Sequence, residues 1–471
     1  MQTECTAEQL EFQGVGRRSV VARFDAGRTS SDGGLLLLRE VAARTGVLEA
    51  LAGCFRDHRK PEAIEHTVAE LIAQRVYGLA LGYEDLNDHD SLRDDTLLAV
   101  AVGKRDLHGT HRARQRDQGH ALAGKSTLNR LELTPSDGDA GSRYKKIVYD
   151  GAAIDALLVE HFIRSHRRAP RQVVLDLDAT DDPIHGEQEG RFFHGYYGHY
   201  CYLPLYMFCG DFPLVARLRP ANIDASEGAL EETERVVAQL RAHWPQVKII
   251  LRADSGFARD AIMTWCESHR VHYIFGLARN SRLESMLKTE MQIVRSIQQR
   301  TGKPARLFRE LRYETLDSWS RSRRVVGKAE QLPGKSNPRF VVTSLKPSDY
   351  DTRELYEQLY CARGDMENRI KEQQLALFAD RTSTHTLRAN QLRLWFSTFA
   401  YLLVAGLRRL GLRTTAFKHA QADTIRTRLL KIGAVIYVSV RRVVVSLSSV
   451  FPLKAVFLQA LRRLRPEPIA P

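Results

Sequence analysis

The 471-residue sequence lacks the cysteine patterns of small secreted domains and of structural zinc sites. Its six cysteines are scattered, no two of them form a C-x-x-C pair, and we find no secretory leader pattern. We therefore expect reduced thiols in a cytoplasmic protein. The six are Cys5, Cys54, Cys201, Cys209, Cys266 and Cys361.

Long apolar runs are also missing. The longest, Leu394 to Leu407, is shorter than the roughly 20 residues that a membrane-spanning helix needs. The next, Ile432 to Phe451, is interrupted by Arg441 and Arg442. We therefore expect no membrane span and no membrane partner.

Acidic residues are scarce in one part of the chain. From His385 to the end there are 15 Lys and Arg but only Asp423 and Glu467. Subtracting these from the totals of 70 basic and 56 acidic residues leaves 55 and 54, so this segment carries almost all of the net charge of +14. Such a segment is expected to contact a polyanion such as DNA, although a solvated basic helix would have the same composition.

The remaining composition, 43% hydrophobic and 27% charged, excludes wholesale disorder. Residues 1–165 read as mostly helical, and residues 385–471 as a basic helical region. Between them, residues 170–380 are predicted to form three consecutive strands, at 172–180, 200–209 and 213–218. A helix, a strand, a helix and a strand are predicted to follow. This order predicts an α/β mixed sheet covered by helices. Alternating residues at 308–328 and 339–345 predict extra strands that form a β insertion at about 305–346, followed by a long helix at 352–377.

Acidic residues lie at the ends of two predicted strands. Asp176 and Asp178 alternate with leucines in DLDAT and share one strand face, and Asp254 follows a strand in RADSGF. Functional sites of open α/β sheets gather at such strand ends. Each aspartate alone is as well explained by a helix cap or a turn. Together they favour metal ligation, because a buried acid is costly unless it is paired or bound to a metal.

The predicted helix at 352–377 carries a polar stripe. Tyr360, Arg363, Glu367 and Lys371 follow one another at intervals of three, four and four residues, which places them on one helix face. A solvated ladder of ion pairs would have the same spacing, so the stripe alone does not decide between a site and a surface.

These segments resemble the DDE transposases of bacterial insertion sequences, of the insertion-sequence 4 type and within it the 1380 group. The resemblance runs through residues 170–385 and includes a Y-x-x-R-x-x-x-E signature. The segments that carry it are DLDATDDPIHGEQEGRFFHGYYGHYCYLPLY, ILRADSGF, LDSWSRSRRVV, PRFVVTSL and LYCARGDMENRIKEQQLALFADRTST.

The resemblance implies an RNase-H-like catalytic core between helical terminal regions. It implies that Asp178, Asp254 and Glu367 are the catalytic acids and the ligands of two Mg²⁺ ions, which Mn²⁺ can replace. Two such ions clamp the attacking and leaving oxygens in phosphoryl transfer. Asp178 is preferred over Asp176 because the family's first acid is followed by a small residue and then Thr.

The resemblance also implies partners. The protein would cut at the terminal inverted repeats of its element, join the ends to target DNA, act as a homodimer in a synaptic complex, and associate with the bacterial nucleoid. The N-terminal region would bind transposon ends. A related DNA nuclease, an inactive copy and a non-enzymatic DNA-binding protein remain alternatives.

DNA contacts are implied for the helix and for the β insertion. Tyr360, Arg363 and Lys371 would contact DNA, and Trp319 would stack on a base among Arg321, Arg323 and Arg324. The family's Lys seven residues after the Glu is replaced here by Gln374. Trp319 is equally well explained as a strand aromatic that covers a small sheet.

Two further patterns are set aside. Residues 119–126, GHALAGKS, match the phosphate-loop pattern, but no buried strand precedes them, so Ser126 is interpreted as a helix cap and Lys125 as a DNA contact. His185, His194, His199 and Cys201 share one loop but lack the paired spacing of zinc sites.

Overall fold

The computed structural model describes residues 9–465, so Cys5 and Glu467 lie outside the described residues. The chain divides into two compact units. One unit is Asp150–Thr398, and the other combines Met1–Tyr149 with Phe399–Pro471. The predicted region limits of 1–165, 170–380 and 385–471 stay predictions.

A nine-stranded mixed sheet forms the core of the Asp150–Thr398 unit. Apolar residues either alternate with polar ones or follow one another along its strands. The central strands are buried on both faces, as expected of a sheet covered by helices. In chain order they are β1 (Gln172–Ala179), β2 (Leu205–Cys209), β3 (Phe212–Arg217), β4 (Lys248–Ala253), β5 (His272–Leu277), β6 (Ala305–Tyr313), β7 (Arg323–Leu332), β8 (Lys335–Ser336) and β9 (Arg339–Thr343).

The strand order is β3-β2-β1-β4-β5-β9-β7-β6, with β8 paired to β7. The first three strands form an antiparallel meander, and β4 and β5 add to β1 in parallel. This is the RNase-H-like mixed sheet that the sequence predicts. Parallel pairing places the carboxyl ends of β1 and β4 at the same edge of the sheet.

The predicted β insertion continues this sheet. Its last strand, β9, pairs antiparallel with β5, so that Ile274 lies opposite Thr343. The predicted strand at 308–328 is in fact two strands, β6 and β7, separated by the segment 314–322 that contains Trp319. Hydrophobic alternation identified the extended segments but did not reveal the turn between them.

Helices cover the sheet. The long predicted helix is one helical run, Thr352 to Ala376, in which π-helical turns at Leu355–Tyr360 and Glu372–Ala376 flank the α-helix Gly364–Lys371. Its buried Leu355 and Leu359 pack with Ile250 and Ile274 of the sheet. The other helices are Gly151–Arg164, Ala229–His243, Asp260–Ser268, Ser281–Met286, Lys288–Thr301 and Leu387–Gly406, the last of which crosses the boundary between the units.

A small three-stranded sheet follows β1 in the chain. It consists of Asp182–Pro183, His199–Tyr202 and Phe192–His194, with the second strand in the middle. The predicted strand at 200–209 is therefore divided, because its first part pairs here and only Leu205–Cys209 enters the main sheet.

The other unit contains mostly helices and several short strands. Thr67 and Glu70 form a capping box that begins the helix Val68–Leu81. The remaining α-helices of this unit within the described residues are Leu35–Thr45, Val47–Ala52, His89–Leu92, Thr96–Val102, Lys125–Glu132, Ala422–Ile425 and Lys454–Leu464. Its strands pair as Leu10–Val15 with Arg18–Ala22, Phe55–Asp57 with Ile147–Tyr149, and Ala434–Val438 with both Thr29–Ser30 and Val443–Leu447.

The C-terminal segment therefore differs from the helical region that its sequence predicts, since Ala434–Val438 and Val443–Leu447 form a hairpin. Their β-branched residues favour strands over helices. Among residues 9–465, no helix has the length and apolar character needed to span a bilayer. None of the five cysteines of the described residues forms a disulfide bond.

Candidate active site

Two aspartates meet at the carboxyl edge of β1 and β4. Leu177 lies opposite Ala253 in the parallel pair. The next residues, Asp178 near the end of β1 and Asp254 directly after β4, therefore lie side by side. Asp254 precedes a short helical turn, and its Oδ1 accepts a hydrogen bond from the backbone N–H of Gly256 at 2.8 Å. This bond fixes the carboxylate of Asp254 at the strand tip.

Asp176 has a different environment from Asp178. It is 5% exposed and forms a two-point ion pair with Arg252 of β4, with Nη2 2.8 Å from Oδ2. Arg252 also donates to the backbone carbonyl of Leu359 in the helical run. Asp176 therefore helps to fasten this helical run to the sheet, and the carboxylate that remains at the edge is that of Asp178.

Glu367 reaches the same place from the helix Gly364–Lys371. The guanidinium of Arg363 lies between this acid and the first strand, with Nη1 3.2 Å from Asp178 Oδ2 and Nη2 2.6 Å from Glu367 Oε1. The side chain of Asp178 is 15% exposed and that of Glu367 45%, so the site opens to solvent on the helix side. One arginine thus bridges two of the three predicted acids.

The electrostatics of Asp178 reflect this grouping. Burial raises its pKa, the charge of Arg363 lowers it, and the negative charges of Asp254 and Glu367 raise it again, so that the pKa of Asp178 is about 7. Three carboxylates are therefore grouped here, and the Arg363 guanidinium pairs with two of them. An additional cation at this site would favour the ionised form of Asp178.

Tyr360 borders the site on the other side. A Cβ atom built on Gly276 of β5 would lie 2.6 Å from the Tyr360 hydroxyl and 3.2 Å from the Asp254 carbonyl carbon. Gly276 therefore makes room for the tyrosine beside the Asp254 backbone. Burial raises the pKa of Tyr360, and the phenol stays protonated at neutral pH as a hydrogen-bond donor.

The family model for the transposase DDE domain group 1 matches residues 12–469. The chain belongs to this family. A cryo-EM structure of the piggyBac transposase synaptic complex with hairpin DNA is similar at 12% identity and a TM-score of 0.36, with 84% of this chain and 85% of that chain covered. No curated protein matches the chain.

Transposases with a DDE domain generally use divalent metal ions. Within the described residues, no three His, Cys, Asp or Glu side chains are grouped as closely as a metal ion requires. At the candidate site the Arg363 guanidinium bridges Asp178 and Glu367. The donor set nevertheless fits a hard divalent cation, because all three acids supply oxygen, and burial together with the charges of Asp254 and Glu367 raises the pKa of Asp178.

Lys371 and Gln374 have different surroundings. Lys371 is exposed on the last turn of the Glu367 helix. The Gln374 amide, at the position where the wider group has Lys, donates to Asp182 Oδ1 at 2.8 Å and to the carbonyl of Asp181. Of the two, Lys371 has the side chain that is open to solvent.

The predicted base-stacking group is largely engaged within the protein. Trp319 is half-buried and packs edge-on against Tyr313, with 5.7 Å between ring centroids. Arg323 is 3% exposed and pairs with Asp260 and Glu267, whereas Arg324 is 6% exposed and pairs with Glu310. Arg321 pairs with Glu267 but keeps an exposed side chain. The charges of Arg323 and Arg324 therefore stabilise the sheet extension.

Histidines after β1 also have partners in the chain. His199 Nε2 lies 2.8 Å from Asp181 Oδ2, and the ring of His194 contacts that of Tyr197. The small sheet and the turn between two of its strands also carry exposed aromatic side chains, namely Phe192, Phe193, Tyr196 and Tyr200. The zinc interpretation that was set aside gains no support from this arrangement.

Sequence reasoning missed two residues that shape the site, Arg252 and Gly276. Arg252 lies two residues before Asp254, which places its side chain on the same strand face, but its pairing with Asp176 depends on the register of β1 and β4. Gly276 is recognisable only once Tyr360 is placed against β5.

The basic C-terminal segment contributes charges of two kinds. Arg426 donates to the Ala80 carbonyl and Arg463 to the Leu410 carbonyl, so these side chains are used within the protein. Arg441 and Arg442 lie exposed at the tip of the hairpin, and their side chains make no ion pair within the described residues. This pair is the part of the segment most open to a phosphate backbone.

Proposed function

We propose that the chain is a DNA transposase of the insertion-sequence 4 type, 1380 group, which cuts at the terminal inverted repeats of its element and joins the 3′ ends to target DNA. One observation carries the proposal. Asp178, Asp254 and Glu367 come from two neighbouring strands and a distant helix, and all three are close enough to shift the pKa of Asp178.

The three acids are proposed to hold two Mg²⁺ ions, or Mn²⁺ in their place. When bound, such ions align and neutralise the oxygens of a phosphodiester that undergoes in-line displacement. Asp178 then loses its proton, and Asp254 stays oriented by the N–H of Gly256. Arg363 must leave its ion pairs with Asp178 and Glu367, which frees a planar guanidinium for a phosphate oxygen.

DNA contacts are proposed around this site. Tyr360 and Arg363 border the acids, and Lys371 continues the same helix face into solvent. Trp319 and Arg321 are proposed to contact DNA from the segment between β6 and β7, whereas the burial of Arg323 and Arg324 favours a structural role for these two.

The wider assembly is proposed on the family's properties and the charge distribution. Residues 1–165 and the basic segment 385–471 bind the transposon-end DNA, and residues 170–380 carry the chemistry. Two copies of the chain hold the ends together in a synaptic complex with target DNA. The protein acts in the bacterial cytoplasm, in association with the nucleoid.

The first experiment replaces one acid. Asp254→Asn in the full-length protein should lower Mg²⁺-dependent cleavage of a duplex that carries the element's terminal repeat by at least about a thousandfold, because a lost charge-stabilising group costs several kcal/mol in the transition state. Binding of the same duplex, measured by fluorescence anisotropy, should change by less than about threefold, since DNA affinity depends on basic side chains. Asp365→Asn, on the Glu367 helix, is the matched control.

A strand-transfer assay with pre-cut ends separates transposition from its alternatives. The proposal expects joined products in the wild type and none in Asp254→Asn. A nuclease would yield nicked products only, and a non-enzymatic DNA-binding protein would behave the same with and without the substitution. Either result would refute the proposed activity.

A further inference from the structure

The unit formed by the two terminal segments contains a cavity of about 750 Å³ that the proposed chemistry does not use. Cavities of this size hold small-molecule ligands in other proteins. Part of its wall comes from residues 120–127, which overlap the phosphate-loop pattern. Six arginines dominate the lining: Arg59, Arg93, Arg112, Arg114, Arg116 and Arg130.

The phosphate-loop pattern itself does not form a phosphate loop. The segment before it contains a short 3₁₀ turn, Gln115–Asp117, instead of a strand, and Gly124 is the residue that precedes the helix Lys125–Glu132. Ser126 is therefore not the cap. A case for a ligand must come from the side chains that line the cavity.

The acids of the lining leave a surplus of positive charge. Glu65 pairs with Arg112 at 2.9 Å, Asp90 with Lys125 at 3.3 Å, and Asp117 lies 3.9 Å from Arg116. Only Glu62, which is exposed, lacks such a partner among the described residues. Three lining arginines make no ion pair within residues 9–465, namely Arg93, Arg114 and Arg130.

Two buried polar atoms of the lining have no hydrogen-bond partner in the described part of the chain. His66 is 3% exposed, and its Nε2 is unpartnered; so is the Nε of Arg112. The pKa of His66 is lowered to about 3 by burial and by the charges of Lys104, Arg112 and Arg59, so the imidazole is neutral. The Nε–H of Arg112 is thus a buried donor without a partner, which is costly, and a ligand that accepts hydrogen bonds would remove this cost.

An anion with several acceptor oxygens matches this lining. The free guanidiniums of Arg93 and Arg130 can each bind such a group through two donors. Tyr144 lines the same cavity, with the Arg130 guanidinium 5.1 Å from its ring centroid, and adds a wall against which a sugar or base can pack.

We propose that this cavity is a phosphate-binding site, occupied by the phosphate group of a nucleotide unit. The unit comes either from a DNA strand or from a free nucleotide, which present the same chemistry to the arginines. The site is separate from the DDE acids, all of which belong to the other unit. Failure of this proposal would therefore leave the proposed transposase activity untouched.

The experiment uses the full-length protein without added metal. Inorganic phosphate and dAMP are titrated by calorimetry in one arm, and a fluorescent 20-nucleotide single strand is titrated by anisotropy in the other. Arg93→Ala and Arg130→Ala should each weaken binding about tenfold, the usual loss for a hydrogen-bonded charge. Arg39→Ala, an exposed arginine of the same unit outside the cavity, should change it less than about twofold.

The two arms separate the sources of the phosphate. Arginine-dependent binding of dAMP supports a free nucleotide, and arginine-dependent binding of the single strand alone supports DNA. Arg93→Lys keeps the charge and should retain more affinity than Arg93→Ala, provided that both variants melt at the wild-type temperature. If no probe binds, or if Arg93→Ala and Arg130→Ala bind like Arg39→Ala in both arms, the proposal is wrong.

Discussion

Three carboxylates meet at the candidate site, and one guanidinium pairs with two of them. Arg363 pairs with Asp178 and Glu367, yet burial, together with the charges of Asp254 and Glu367, raises the pKa of Asp178 to about 7. Because like charges at close range disfavour ionisation, the site as it stands is short of positive charge. This shortage is the physical reason for expecting a divalent cation to bind there.

Asp182 gives a residue-scale prediction about pH. It is fully buried, and burial raises its pKa to about 8, while the Gln374 amide lowers it. Below pH 4 the carboxyl is protonated in both folded and unfolded chains. As pH rises towards 8 only the unfolded chain loses its proton, so this residue lowers the free energy of unfolding by up to about 1.4 kcal/mol per pH unit.

The substitution Asp182→Asn should therefore stabilise the protein increasingly between pH 5 and 8, since the Asn oxygen still accepts from Gln374. Urea unfolding of wild type and variant at pH 5.5, 6.5 and 7.5 measures the difference. Asp365→Asn, an exposed acid of the same unit, should show no such trend. A constant difference between Asp182→Asn and wild type would contradict the prediction.

Gly276 gives a second prediction at this scale. An added Cβ would lie 2.6 Å from the Tyr360 hydroxyl and 3.0 Å from the Ser255 backbone nitrogen. Because the backbone atom cannot move aside cheaply, Gly276→Ala should lower the free energy of unfolding by about 1–3 kcal/mol. Chemical denaturation measures this loss.

Two variants sharpen the Gly276 result. Gly364→Ala is the control, because its Cβ would meet nothing within 4 Å and it lies in a helix, where alanine is favoured by roughly 0.5–1 kcal/mol. Adding Tyr360→Phe to Gly276→Ala should restore part of the loss by removing the hydroxyl. Equal stability of Gly276→Ala and wild type would show that the space beside Tyr360 is not required.

The grouping of the three acids could be predicted from the sequence more readily than their surroundings, and their catalytic role stays a prediction. Asp178 and Asp254 could be found because strand ends are visible in the apolar pattern, and Glu367 through the family signature. The pairing of Asp176 with Arg252 could not, because a shift of one residue in strand register would separate them. Nor does sequence spacing reveal that Arg363 bridges two of the acids.

At the scale of elements, the helical run at 352–376 departs from the regular helix that its spacing predicts. π-helical turns precede and follow the α-helix Gly364–Lys371. The α-helical spacing that places the predicted contacts on one face applies only from Arg363 to Lys371, because Tyr360 lies at the end of a π-helical turn. Such turns are common at functional sites and are not encoded in apolar periodicity.

Lys371 tests the role of this helix face. Lys371→Ala should weaken binding of the terminal-repeat duplex and reduce the slope of log affinity against log salt by about one, because one phosphate contact is lost. Anisotropy titrations at several salt concentrations measure this slope. Arg353→Ala, an exposed cation of the same helical run that pairs with Glu357, should leave the slope unchanged. An unchanged slope in Lys371→Ala would exclude the contact.

The strands after β5 show a second limit of prediction. Their alternation identified extended segments at 308–328 and 339–345, and the structure adds these segments to the main sheet. The pairing of β9 with β5 could not be predicted, because it depends on which edge of the folded sheet is left unpaired. As a result the predicted insertion is a continuous extension of the main sheet.

At the scale of the whole molecule, the two compact units do not follow the order of segments along the chain. The first 149 residues and those from Phe399 onward form one unit, although the acidic and basic residues of these two segments are distributed very differently. Sequence composition distinguishes the C-terminal segment only by its basic charge. Its partnership with the N-terminal segment depends on contacts far apart in the chain, such as Ala434 with Ser30.

Divalent ions should stabilise the whole molecule through the three acids. A ligand that binds only the folded state raises the free energy of unfolding by about 2.7 kcal/mol at a hundredfold excess over its Kd. Adding Mg²⁺ or Mn²⁺ to the protein without DNA should therefore raise its melting temperature, measured by calorimetry against NaCl of equal ionic strength. The shift should disappear in Asp254→Asn and persist in Asp365→Asn.

Since Arg363 competes for Asp178 and Glu367, Arg363→Gln should show a larger shift than wild type at the same ion concentration. Equal shifts in wild type and Asp254→Asn would place the bound ions elsewhere and remove the basis for a metal site at these acids.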